Sequence, residues 1–155
     1  MLVFLIGFMG AGKTHLGRSL AQSLGYQFID LDSHIEAAAG CSIPQIFTQE
    51  GEAAFRLREQ EALHSTVNQL SAQKTSCVIA CGGGTPCHHE NLDFMKTQGF
   101  VIYLDVAPDI LCERLLQQPR HRPLLPWQTK EELLPHIQQL LETRRPFYTQ
   151  AHWTC

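Results

Sequence analysis

Gly7-Phe8-Met9-Gly10-Ala11-Gly12-Lys13-Thr14 is the stretch that decides the fold. It fits G-x-x-x-x-G-K-[S/T] in full, and its surroundings are those that make such a match credible. Before it, Leu2 to Ile6 is an unbroken apolar run, as in a central parallel strand covered on both faces. After it, Leu16, Leu20, Ala21 and Leu24 fall on one helical face, and Gly25 closes that helix. Glycines let backbone N–H groups converge on phosphate oxygens in conformations a side chain would forbid. The helix N-terminus adds partial positive charge. Lys13 supplies a point charge, and the Thr14 hydroxyl suits Mg²⁺. Gly10, Ala11, Gly12, Lys13, Thr14 and the adjoining His15 form the expected nucleotide set, with His15 read as an exposed helix residue.

Strand-like and helix-like segments alternate outward from this loop. Gln27 to Asp30 reads as a second strand, and Ser33 to Ala39 as a short helix stopped by Gly40. A longer helix spans Glu50 to about Leu70, with Phe55, Ala62, Leu63, Val67 and Leu70 for its apolar side. Cys77 to Cys81 is a third strand, and Phe100 to Asp105 a fourth. Pro108 opens a helix at its first turn. Pro119 to Trp127 is a proline-rich loop, and Thr129 with Glu132 makes a capping-box pattern for a last helix. Pro135 predicts a later start or a kink in it. His152 to Cys155 reads as a fifth strand. Such alternation is an α/β domain with a parallel sheet and right-handed crossovers.

Composition bounds the partners. The chain has 155 residues, a length for one domain spanning 1–155. Hydrophobic residues at 44% and charged residues at 17% belong to a globular protein, not a disordered one. A formal charge of −3 excludes a nucleic-acid binder working by bulk charge. Five of the eight arginines nevertheless lie after residue 113, which leaves room for a local anionic ligand. Six cysteines without a Cys-x-x-Cys pair predict reduced thiols and a cytoplasmic location. Met1 to Met9 is apolar but lacks a basic leader, so it reads as a strand and not as a signal peptide. No apolar run approaches the ~20 residues of a membrane span.

Several other residues carry candidate chemistry. Asp30 and Asp32 are two apart at a strand end, so in an extended chain both would face the phosphate loop. One could hold the metal's water shell and the other could engage a hydroxyl proton; alternatively Asp32 only caps the next helix. Asp105 competes for the metal role, since it too follows an apolar run. Gly82-Gly83-Gly84 directly after a strand implies either a close approach to exposed backbone or a sharp turn. Arg56, Arg122 and Arg144 offer guanidinium forks for a carboxylate or phosphate, against the alternative of solvated surface. Arg122 lies in a loop too long for a simple connection, which suggests a lid at about 118–128. Cys81, Cys87, His88 and His89 cluster without a zinc spacing, and Trp127 and Trp153 read as packing residues.

With these motifs in order, the chain resembles the bacterial shikimate kinases. The resemblance runs from Leu2 to about Tyr148. It rests on Gly7-to-Thr14, Phe28-Ile29-Asp30-Leu31-Asp32 with Ile35-Glu36, and Ile46-Phe47, Gly51-Glu52, Phe55-Arg56 and Glu59. It continues through Gly82-Gly83-Gly84, Tyr103-Leu104, Arg122-Pro123-Leu124-Leu125 and Arg144-Arg145-Pro146-Phe147-Tyr148. It implies a three-layer α/β/α P-loop kinase with a five-stranded parallel sheet in the order 2-3-1-4-5 and a lid. The implied reaction moves the γ-phosphoryl group of ATP to the 3-hydroxyl of shikimate, with Mg²⁺, on the route to chorismate and the aromatic amino acids. By position, Lys13 and Arg122 would serve the transferring phosphate, and Thr14 and Asp30 the metal. Asp32 would engage the reacting hydroxyl. Arg56, Gly82, Gly83, Gly84 and Arg144 would form the shikimate site. Asp105 matches no catalytic position. Arg114 is nearest to the family's adenine-stacking arginine, about one residue out of register, and the family's C-terminal helix is expected to be absent. A monomer without nucleic-acid or membrane partners is expected. The rivals are a kinase of another carboxylated alcohol such as gluconate, and a nucleotide-binding regulatory module without transfer activity.

Overall fold

The computed structural model of the protein describes residues 1–117 and 129–155. Residues 118–128, which include the expected lid and Arg122, lie outside the described residues. In chain order the elements are β1 (Leu2–Ile6), α1 (Lys13–Leu24), β2 (Gln27–Asp30), α2 (Leu31–Ala39) and α3 (Ile43–Ala72). Then follow β3 (Cys77–Ala80), a 3₁₀ turn (Thr85–Cys87), α4 (Asn91–Gln98), β4 (Phe100–Tyr103), α5 (Pro108–Gln117), α6 (Lys130–Tyr148) and β5 (Trp153–Thr154). The strands form one sheet in the order β2-β3-β1-β4-β5, and every pairing is parallel. This is the order expected from the sequence.

β1 occupies the middle. Val3 pairs with Val78 on one side and Phe100 on the other, and Leu5 with Ala80 and Ile102. Phe4, Leu5 and Ile6 are fully buried, which is why the run is apolar without alternation. α1 packs on the sheet through small residues. A Cβ at Gly17 would lie 2.5 Å from the Phe28 ring, and Ala21 is buried beside it. Leu16 and Leu24, expected on the buried face, are instead 39% and 47% exposed. The closeness that Gly17 permits leaves those longer side chains at the rim.

Three boundaries differ from expectation for local reasons. α2 starts at Leu31 because the Asp30 carboxylate accepts the Ser33 N–H at 3.2 Å and caps the helix. The cap is therefore Asp30 and not Asp32, and the extended chain ends two residues before Asp32. α3 starts at Ile43, where Ser42 and Gln45 make a capping box and Pro44 sits in the first turn. Gly51, at φ 84 and ψ 172, breaks it, so the expected helix is its second segment. α4 was not expected: Glu90 precedes it in a left-handed conformation, φ 56, without a side-chain cap bond, so no start signal is written there. At α6, Thr129 holds the N-cap position but makes no cap bond. Pro135 lies within that helix, which starts no later for it; Leu133, Ile137 and Leu141 are buried on either side and hold the turn in place. Trp153, expected to pack, is 61% exposed on the edge strand.

The described cysteines are free thiols. No described helix is long and apolar enough to cross a membrane.

Candidate active site

The site assembles at the carboxyl ends of the strands, where a parallel sheet opens its crevice. β1 runs into the phosphate loop. Gly10 and Gly12 sit at φ 83 and φ 94, the left-handed region that disfavours any side chain. Gly12 is then the N-cap of α1, so the loop delivers its backbone to a helix N-terminus. Lys13 folds back over the loop, donating from Nζ to the carbonyls of Gly7 at 2.7 Å and Phe8 at 2.9 Å. Arg114, from α5, donates from Nη1 to the carbonyls of Gly10 at 3.1 Å and Ala11 at 3.2 Å. The loop is thus held by cations from two helices.

β2 and α2 bring the acids. Thr14 Oγ1 donates to Asp30 Oδ2 at 2.6 Å, while the other Asp30 oxygen caps α2. Asp32 follows in the first turn of that helix. Gly10, Ala11, Gly12, Lys13, Thr14, His15, Asp30, Asp32, Gly83 and Arg114 line one cavity of about 970 Å³. Asp105 does not line it. Its carboxylate accepts the Tyr103 hydroxyl at 2.7 Å and faces Arg145 at 3.6 Å.

β3 ends in the glycine triplet, and the reason for three glycines is space. None of them has a left-handed φ among the described backbone. A Cβ at Gly82 would meet Asp32 Oδ1 at 2.8 Å, Glu59 Oε1 at 2.9 Å and Thr85 Oγ1 at 3.0 Å. One at Gly83 would meet Arg144 Nη1 at 3.1 Å and the Met9 N at 3.3 Å. One at Gly84 would meet the Arg56 guanidinium at 2.6 Å. The triplet therefore joins Asp32, the phosphate loop and both arginines along three successive residues.

The arginines are built into this wall. Arg56 is buried in α3, with Nη1 on Glu59 Oε2 at 2.9 Å and Nη2 on Glu52 Oε1 at 3.3 Å. Arg144, in α6, lies with its guanidinium carbon 5.5 Å from the centre of the Phe8 ring. Tyr148, one turn on, is fully buried, stacks on Tyr103 and donates its hydroxyl to the Gly83 carbonyl at 2.6 Å. Burial holds the Tyr148 phenol protonated, with its pKa raised. Burial also pushes the Cys87 thiol up to about 11, against the pull of Arg144 and Arg56. The His88 imidazole is lowered by burial and then by Arg56. The 3₁₀ turn thus feels positive charge from both helices. Arg56 Nε and Arg144 Nη1 are buried with no hydrogen-bond partner among the described residues. Orphaned guanidinium donors beside the glycine triplet suit a small organic anion.

The structure gathers Lys13, Thr14, His15, Asp30, Asp32, Arg56, the glycine triplet and Arg144 at one strand edge. Only Arg122 falls outside the described residues. Sequence reasoning gave no role to Glu59, Thr85 or Tyr148. Glu59 had a local signal, its i+3 spacing from Arg56 on a helix. Thr85 and Tyr148 act through contacts that no local pattern announces. No group of three or more His, Cys, Asp or Glu among the described residues is placed to hold a metal ion. The oxygen donors Thr14 and Asp30 instead fit a hard cation shared with phosphate oxygens.

Comparison with known proteins gives a consistent picture. Residues 9–155 match the family model for shikimate kinase. The shikimate kinase of Bacteroides thetaiotaomicron is 43% identical over 97% of this chain and 83% of its own length. A crystal structure of shikimate kinase from Bacteroides thetaiotaomicron superposes with a TM-score of 0.92 at 42% identity, covering 99% of this chain and 85% of that one. The shikimate kinase of Acinetobacter baumannii, solved in complex with shikimate, gives a TM-score of 0.85 at 37% identity, covering 99% and 82%.

Proposed function

The chain belongs to the shikimate kinase family, and we propose that it acts by holding the acid group of shikimate on Arg56 and Arg144 while the phosphate loop presents ATP. The reaction is transfer of the γ-phosphoryl group of ATP to the 3-hydroxyl of shikimate, giving shikimate 3-phosphate and ADP. Asp32, at the wall shared with Gly82, accepts or orients the proton of the attacking hydroxyl. Lys13 neutralises charge on the β- and γ-phosphates. Arg122, which lies outside the described residues, would serve the transferring phosphate, as the resemblance implies. Thr14 and Asp30 would hold Mg²⁺, which would offset phosphate charge when bound. Little covalent chemistry is left to the protein, so its contribution is placement and charge.

The observation that carries this reading is the pair of orphaned guanidinium donors at the glycine triplet. Both guanidiniums pack against this backbone, Arg144 at Gly83 and Arg56 at Gly84, and support a carboxylate site beside the Gly82 that Asp32 touches and the Gly83 that the phosphate loop touches. The protein is expected to work as a cytoplasmic monomer on ATP and shikimate. The test is ADP release measured by a coupled assay with shikimate, gluconate and nucleoside monophosphates in turn. Turnover is expected with shikimate. Turnover with gluconate alone, or ATP binding without turnover on any hydroxy acid, would overturn the assignment.

A further inference from the structure

The buried polar residues behind the glycine triplet form a chain of contacts that the reaction itself does not use. Glu59 is fully buried and has each carboxylate oxygen committed. Oε2 accepts from Arg56 Nη1 at 2.9 Å, and Oε1 accepts from the Thr85 hydroxyl at 2.6 Å. Thr85 is itself fully buried, and both of its peptide groups are pinned. Its N–H donates to the Gly82 carbonyl at 3.1 Å, and its carbonyl accepts from Asn91 Nδ2 at 3.0 Å. Asn91, at the head of α4, is also fully buried. With its backbone held on both sides, Thr85 places its hydroxyl against the Glu59 carboxylate and donates to it.

We propose that Thr85 is a positioning residue for acid recognition, acting through Glu59 to fix the guanidinium of Arg56. The physical need is clear from burial. A buried carboxylate holding a guanidinium on one oxygen is oriented only if the other oxygen is also held. A hydrogen bond to a charged, desolvated group is among the stronger ones available to a side chain. Without the hydroxyl, Glu59 can rotate about its last side-chain bond, and the oxygen it presents to Arg56 Nη1 is no longer fixed. The wall offers little slack. The Gly84 position touches the Arg56 guanidinium, and the Gly82 position touches Glu59 and Thr85 together. Arg56 is thereby held against Gly84, next to the Gly83 that Arg144 approaches.

This inference rests on the reading that Arg56 holds the substrate's carboxylate, and the experiment separates the two. Thr85→Val keeps the shape and removes the hydroxyl; Thr85→Ser keeps the hydroxyl; Arg56→Lys serves as the reference. Each is assayed with shikimate and with its methyl ester, which lacks the anionic group. Thr85→Val is expected to raise the KM for shikimate about tenfold, equal to about 1.4 kcal/mol, with kcat and the KM for ATP within about twofold. Its preference for the acid over the ester falls by the same factor, and Thr85→Ser restores it. If Arg56→Lys leaves the acid-to-ester preference intact, the carboxylate reading of Arg56 fails, and the Thr85 inference with it. If Arg56→Lys abolishes the preference while Thr85→Val preserves it, the Thr85 inference alone is overturned. A Thr85→Val that loses activity equally on acid and ester, or a Thr85→Ser as impaired as Thr85→Val, also overturns it, since the role would then be one of folding only.

Discussion

The protein has two glycine-rich loops at the same edge of its sheet, and they need glycine for opposite reasons. In the phosphate loop the need is conformational: Gly12 has φ 94, yet the nearest atom to an added Cβ is Arg114 Nη1 at 3.7 Å. In the triplet the need is spatial: Gly84 has an ordinary φ of −93, yet an added Cβ would sit 2.6 Å from the Arg56 guanidinium. One loop shapes backbone so that its amides can reach a ligand. The other clears volume so that side chains from α2, α3 and α6 can reach across the backbone. The same residue type thus reports an unusual backbone conformation in one place and a close approach of side chains in the other.

That contrast can be broken or sharpened by substitution. The largest expected effect is at the acid the triplet makes room for. Asp32→Asn should lower kcat by at least about 10²-fold while changing the KM for shikimate much less, as steady-state kinetics would show. Unchanged turnover would remove Asp32 from the chemistry. Gly82→Ala comes next, because its Cβ overlaps Asp32 Oδ1 at 2.8 Å. A displacement of that size should cost about 10²-fold in kcat. Gly84→Ala should act on binding and not on turnover. Displacing Arg56 should raise the KM for shikimate about tenfold and leave the KM for ATP alone. Gly12→Ala should do the reverse, raising the KM for ATP and destabilising the fold by about 1–2 kcal/mol through its left-handed φ. If Gly84→Ala and Gly12→Ala impaired the same substrate, the two loops would not divide the work. The smallest effect belongs to Tyr148→Phe. It loses the bond to the Gly83 carbonyl, and thermal melting should fall by about 2–4 °C for about 1 kcal/mol.

Much of the fold was legible because its signals are local. The apolar run of β1, the glycine loop and the helix after it are written within 24 residues. The strand order follows once the P-loop kinase resemblance is seen. What escaped reading had no local mark or an ambiguous one. α4 begins after a left-handed Glu90 with no capping side chain, so its start looks like loop. The Leu16 and Leu24 positions satisfied helical periodicity, but Gly17 and Ala21 are what the sheet accepts. Asp32 offered itself as the cap in the alternative reading, and only the Ser33 N–H bond shows that Asp30 holds that place. Among site residues, the phosphate loop was read from its motif, whereas the arginines were candidates by residue type and received their roles only from the resemblance. Their spacing says nothing about where their side chains meet.

The sequence by itself determined the phosphate loop, the parallel α/β architecture and the family, because these depend on residue types at short, fixed separations. Tertiary structure alone decided that Arg56 and Arg144, 88 positions apart in the chain, flank the same three glycines. It alone decided that Tyr148 reaches back 65 residues to the Gly83 carbonyl, and that Thr85 holds Glu59 across 26. The physical reason is range. A helix or loop is set by bonds to neighbours within about four residues, whereas a binding wall is set by which buried faces can pack together. Only the folded chain, with α3 and α6 brought up against the end of β3, fixes that.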